Sequence, residues 1–228
     1  MIDLTHDIYD QSPQWPGDQA VSVKRVSTGT YQQHSITLTE HSGTHIGAPS
    51  HYHFAQTMSD FALDYMQGQA LLLDCTGFSE ESIGAEELKG LLARQQTNVG
   101  PHYPLVVVLT AWAAYWESDA YFTGLAPAGP NTPKQALLPA GLNLSGAKYL
   151  LARFSPHIIG IDSPNIDFGG AALNNLECGI ELARHKVFHL ENIAAAPPGL
   201  PLVMDYLLMP LRIDKGTGSP ARLLLQAS

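Results

Sequence analysis

Apolar residues in this chain fall mostly in short runs bounded by turn-forming residues, not in long helical stripes. Val21–Val26, Ser35–Thr39, Ala70–Asp74, Leu105–Thr110, Ile158–Ile161 and Lys186–Leu190 all read as buried strands. Three segments carry the three-to-four spacing of helices. Ala85–Arg94 opens on acidic residues suited to a helix N-terminus, and Ser145–Arg153 and Ala172–Arg184 follow it. Strands mixed with a few helices predict an α/β or α+β domain. No repeat and no composition break divides the chain, so one domain is expected over residues 1–228. Tyr121–Leu138, rich in Pro, Gly and Ala, reads as a long surface loop of the kind that serves as a lid or an oligomer contact.

Composition narrows the function. The chain has 228 residues, 45% of them hydrophobic, enough for a substantial core. Its formal charge is -9 with only 12 Lys and Arg, and no basic run or stripe is present. That balance excludes a phosphate-backbone binder, so no nucleic-acid partner is expected. The N-terminus lacks a basic segment followed by an apolar one, and no apolar run is long enough to span a bilayer. Cys75 and Cys178 form neither a disulfide framework nor a metal knuckle. A cytoplasmic protein without membrane contact is the expectation.

The chemistry concentrates in one place. Four of the ten histidines lie within the thirteen residues from His41 to His53, in His41-Ser-Gly-Thr-His45-Ile-Gly-Ala-Pro-Ser-His51-Tyr-His53. Histidine is the commonest metal ligand and the readiest proton carrier near neutral pH. Gly43, Gly47 and Pro49 oppose a continuous helix, so His41 and His45 do not form a helical pair of ligands. The chain is expected to leave a strand near Thr39 and turn so that several imidazoles converge. His53 alone reads as a packing or solvent residue.

This segment resembles the His-x-Gly-Thr-His-x-Asp-x-Pro-x-His signature of the cyclase family, which includes bacterial kynurenine formamidases and isatin hydrolases. Other matches follow in order: Asp3-Leu-Thr-His6, Trp15-Pro-Gly-Asp18, Thr110-Ala-Trp112, Tyr115–Tyr121, Gly160–Asp167, Glu191-Asn192 and Gly216–Arg222. The resemblance implies a swivelling β/β/α fold, a homodimer or homotetramer, and a metal centre that hydrolyses small amides, lactams or lactones. It implies His41, His45 and Glu191 as metal ligands and His51 as the acid/base.

Two departures bear on that reading. The signature aspartate is replaced by Gly47, and a later histidine that helps to hold the family's second metal is replaced by Gly179. The resemblance then implies one divalent cation per protomer, zinc or manganese, with the second site lost. Two histidines, a carboxylate and a water make a familiar catalytic zinc set. His189 is a candidate replacement ligand: two residues before Glu191 on a strand, it shares that residue's face. The missing anion equally leaves open a metal-independent cyclase or lyase that uses His51 with His41 or His45, or a non-catalytic relative. Gly47 also argues against the binuclear formamidase chemistry, so no formylated amino acid is named as substrate.

The remaining candidates are plainer. Trp15 is expected to bind substrate, whereas Trp112 and Trp116 read as core or interface residues. Asp162, Ser163 and Asp167 read as buried hydrogen-bonding residues, and Cys178 as a small buried side chain. Gly216-Thr-Gly218 reads as a turn.

Overall fold

A computed structural model describes residues 1–227 apart from positions 28, 79–81, 96–98, 119, 124–138 and 170–174. The core is a mixed sheet of eight strands: β1 (Ile2–Asp3), β4 (His45–Gly47), β5 (Gln67–Asp74), β7 (Leu105–Leu109), β9 (Ile158–Ile161), β10 (Phe188–Glu191), β11 (Val203–Pro210) and β12 (Gly218–Gln226). Their order is β1-β12-β11-β5-β7-β9-β10-β4, and β4 also pairs with β12. That last pairing closes the sheet on itself, with β1 added along β12. β5, β7, β9 and β10 run parallel, and the other pairings are antiparallel.

Alternation along the strands separates two cores. Leu72, Leu105, Val107, Ile158, Phe188, Leu190 and Leu223 fill the inside of the closed sheet. Leu71, Leu73, Val106, Val108, Ile159 and Ile161 face outward and pack against the helices. Those helices are α1 (Ala85–Arg94), α3 (Leu144–Phe154) and α4 (Glu177–Arg184); α2 (Ala120–Thr123) is one short turn. β7 and β9 are apolar throughout because both faces are covered, as parallel strands require. α3 starts where the Asn143 side chain accepts the N–H groups of Ser145 and Gly146.

Several expectations need correction. β2 (Ser22–Ser27) and β3 (Gln32–Thr37) are not buried; they form an exposed hairpin apart from the main sheet. The helix expected over 172–184 is described from Glu177, because Leu176 before it takes a left-handed backbone with φ 49°; positions 172–174 lie outside the described residues. Lys186, at φ 62°, is not in the last expected strand, which instead runs to Glu191. Gly218 is the first residue of β12 and not part of a turn. Of the expected loop, Tyr121 is fully buried, and 124–138 lie outside the described residues. β4, β6 (Ser82–Ile83), β8 (Gly141–Leu142), β11 and β12 were not anticipated. Trp112, Trp116 and Cys178 are buried as expected, and His53 is exposed. Among the described residues, no helix is long and apolar enough to cross a membrane.

Candidate active site

Two short strands, β4 and β10, carry the centre, with β12 alongside. On β4, Ile46 points into the closed sheet, which turns His45 and Gly47 to the outer face. On β10, Phe188 and Leu190 point inward, which turns His189 and Glu191 outward. The register sets Glu191 opposite His45 and His189 opposite Gly47, while Pro220 and Gly218 of β12 flank β4 on its other side. His189, Glu191 and His45 are all nearly inaccessible to solvent.

His45 is held in one tautomer. Its Nδ1–H donates to the Gly43 carbonyl at 3.0 Å, which leaves the lone pair on Nε2. That Nε2 is buried, has no hydrogen-bond partner among the described residues, and lies 3.3 Å from Glu191 Oε2. The other oxygen of Glu191 accepts the Ile166 N–H at 2.8 Å. Two acceptors therefore face each other in a buried site, an arrangement that a bound cation or proton would relieve. Burial pushes the Glu191 carboxyl up, but the nearby His189, His45 and Ile166 N–H outweigh it and hold the group below the ordinary carboxylate range. These two donors fit a cation on this ground.

The other imidazoles crowd around the pair. The His41 ring centre lies 5.0 Å from that of His45 and 4.1 Å from that of His51, which is in turn 5.9 Å from His189. Thr217 donates its hydroxyl proton to Glu40 at 2.6 Å, so its oxygen accepts from His41 Nε2–H at 3.2 Å. Among the described residues, no three His, Cys, Asp or Glu side chains form a ready-made cage for a metal. His41 thus stands beside the His45–Glu191 pair while its Nε2 is committed to Thr217. Burial, reinforced by the neighbouring imidazoles, pushes His41 far below the usual histidine range. Burial likewise drives His189 down to about 4, against the pull of Glu191. His51, on the turn Pro49–Tyr52, is lowered by burial, with Glu191 opposing.

A cavity of about 680 Å³ opens over this group. His41, His45, His51, Tyr52 and Glu191 line its reactive end, and Trp15, Phe122, Pro164 and Leu176 line its apolar walls. Trp15 and Phe122 meet edge to face with ring centres 6.2 Å apart.

Residues 2–168 match the sequence profile of the Cyclase family, described as "Putative cyclase". The chain belongs to the Cyclase family. Over 232 aligned residues it is 29% identical to the kynurenine formamidase of Polaromonas naphthalenivorans (strain CJ2), covering 98% of this chain and 89% of that protein. Its fold is similar to that of isatin hydrolase A from Ralstonia solanacearum, with a TM-score of 0.82, 20% identity and coverage of 100% and 91% of the two chains. It is also similar to isatin hydrolase A from Labrenzia aggregata bound to benzyl benzoate, with a TM-score of 0.81, 20% identity and coverage of 99% and 93%.

The two departures from the family signature have occupants. A Cβ at Gly47 would overlap the His189 ring, and a Cβ at Gly179 would overlap the hydroxyl end of Tyr52. His189 and Tyr52 therefore stand where side chains at 47 and 179 would begin. The sequence marked His189 by its spacing from Glu191. It gave no sign of Tyr52, because only the packing of α4 on the turn Pro49–Tyr52 brings Gly179 beneath it. Thr217, Glu40 and Asn192 were also missed as site residues. Asn192 donates to the Gly43 carbonyl at 3.0 Å and accepts from the Tyr121 hydroxyl at 2.8 Å, which braces the carbonyl that orients His45.

Asp162, Ser163 and Asp167 are buried hydrogen-bonding residues as expected. Asp162 accepts the Thr110 N–H and hydroxyl. The Asp167 carboxylate accepts the N–H groups of Cys178 and Gly179.

Proposed function

We propose that this chain hydrolyses a small aryl amide, lactam or lactone with the help of one divalent cation, zinc or manganese. The observation that carries the reading is the buried Nε2 of His45, without a hydrogen-bond partner among the described residues, facing Glu191 at the floor of an aromatic-walled cavity. His45 and Glu191 would hold the cation, with His41 and His189 as the adjoining imidazoles. A cation there supplies Lewis acidity and lowers the pKa of a water to about 7. The family and its formamidase relative support amide hydrolysis. The walls made by Trp15 and Phe122 suit a flat, aromatic substrate.

The chain's own residues account for the proton transfers. His51, kept neutral at pH 7, accepts the proton of the attacking water. As the C–N bond of an amide breaks, His51 returns that proton to the leaving nitrogen. Trp15 and Phe122 hold the ring and exclude water from the apolar end of the cavity.

The test is turnover of a panel of aryl formamides, aryl lactams and aryl lactones, followed by absorbance before and after chelation. The expected result is hydrolysis of at least one class, loss on chelation, recovery with zinc or manganese, and a loss of 100-fold or more in His41→Ala. Activity that survives both chelation and His41→Ala overturns the metal-dependent reading and leaves cation-free acid/base chemistry at His51.

A further inference from the structure

An acyl carbon under attack by water puts negative charge on its oxygen, and a site built for that step needs a donor aimed at it. The cavity's reactive end is rich in bases and poor in donors. No lysine or arginine lines it among the described residues. The Asn192 amide is spent on the Gly43 carbonyl, and the Thr39 hydroxyl is paired with Ser42.

Tyr52 differs from these. Its ring lies 5.1 Å from that of His51 and 5.4 Å from that of His189, centre to centre, and it lines the cavity with them. Its hydroxyl end rests on Gly179, in space that any side chain at 179 would fill. The absence of a Cβ at 179 is thus what admits the phenol. A tyrosine hydroxyl is protonated near pH 7 and can donate a hydrogen bond.

We propose that the Tyr52 hydroxyl is a catalytic residue that donates a hydrogen bond to the substrate's carbonyl oxygen during hydrolysis. The inference rests on the hydrolase reading and names the group that stabilises the developing charge. Water adds to the carbonyl carbon, and its proton passes to His51. The C=O π pair moves onto oxygen, which accepts the Tyr52 O–H without taking its proton. The C–N bond then breaks, its electron pair goes to nitrogen, and nitrogen takes the proton back from His51. The products are a carboxylic acid and an amine.

The test compares wild type with Tyr52→Phe and Asn165→Ala, since Asn165 is another amide on the cavity wall. Four quantities are read: kcat and KM on the hydrolysed panel member, metal content per protomer, melting temperature, and benzoate affinity by isothermal titration. Tyr52→Phe is expected to lower kcat about 100-fold or more with KM within about threefold, as for loss of one oxyanion donor. Metal content and melting temperature stay near wild type, and benzoate, an anionic aryl acyl mimic, binds about tenfold more weakly. An unchanged kcat in Tyr52→Phe overturns the proposal, and a matching loss in Asn165→Ala alone moves the role to Asn165. If wild type holds its metal but hydrolyses nothing on the panel, the hydrolase reading fails separately and benzoate decides Tyr52. Weaker binding in Tyr52→Phe then keeps Tyr52 as an acyl-oxygen donor, and equal or absent binding in both proteins overturns it.

Discussion

His189 stands directly across the β10–β4 ladder from Gly47, with its ring where a Cβ at 47 would project. The two positions work as a pair: one gave up a side chain and the other reaches into the space. Gly47→Ala should therefore force His189 out of a fully buried place and cost about 1–3 kcal/mol, the usual range for overpacking. In a His189→Ala background the same change should cost less than half as much. Chemical denaturation of the two single variants and the double variant measures this coupling, and simple additivity would contradict it.

Thr217 links His41 to Glu40. Its hydroxyl donates to Glu40 and accepts from His41, and its N–H donates to Glu40 at 2.8 Å. Thr217→Val keeps the shape and deletes both side-chain bonds. Activity should fall roughly 10- to 100-fold through loss of His41 orientation. Stability should fall by only about 1–2 kcal/mol. Steady-state rates alongside a denaturation curve separate the two effects.

Activity should also report His51. Burial lowers its pKa below 6.5 against the opposing Glu191 charge, so its base form dominates at pH 7. The predicted kcat/KM profile is flat near neutrality and falls on the acid side at a pH below 6.5. His51→Ala should lose about 10²- to 10⁴-fold in kcat and with it that acid limb. A variant that retains the wild-type limb would place the base elsewhere.

Acid should destabilise the fold through His6, which stacks on Trp116 with ring centres 4.0 Å apart. Its Nε2 is buried without a partner among the described residues, and burial lowers its pKa to about 4, with Asp7 opposing. The folded-state pKa lies below the unfolded value of 6.5, so the unfolded chain takes the proton first as pH falls. Stability is intact above 6.5 and is lost progressively down to about 4. Because the ring is only partly buried, the loss should be shallower than the ~1.4 kcal/mol per pH unit of a fully shielded group. Denaturation midpoints at several pH values should show a smaller acid drop in His6→Gln than in wild type.

The strands covered on both faces were legible in the sequence. Leu105–Leu109 and Ile158–Ile161 are apolar at every position because helices and closed sheet bury both sides. β4 was not legible: three residues holding a histidine and a glycine carry no strand pattern, and only its two neighbours make it one. β12 was hidden by its Gly-Ser-Pro start, whose proline sits opposite His45. β2 and β3 show the opposite error, since alternating Val and Ile promised a buried face that the hairpin does not have. At the site, the histidine cluster and Glu191 stood out by density and motif. Tyr52 and Thr217 did not, because each acquires its partners from chain segments far away in sequence.

The proposed cation sits beside His45 and Glu191, with His189 and Tyr52 filling the space next to it. Its presence is read from metal content per protomer, by elemental mass spectrometry on untagged protein never exposed to nickel. About one equivalent of zinc or manganese is expected, lost in His45→Ala. Two equivalents, or none after incubation with both metals, would rule out a single cation at this pair.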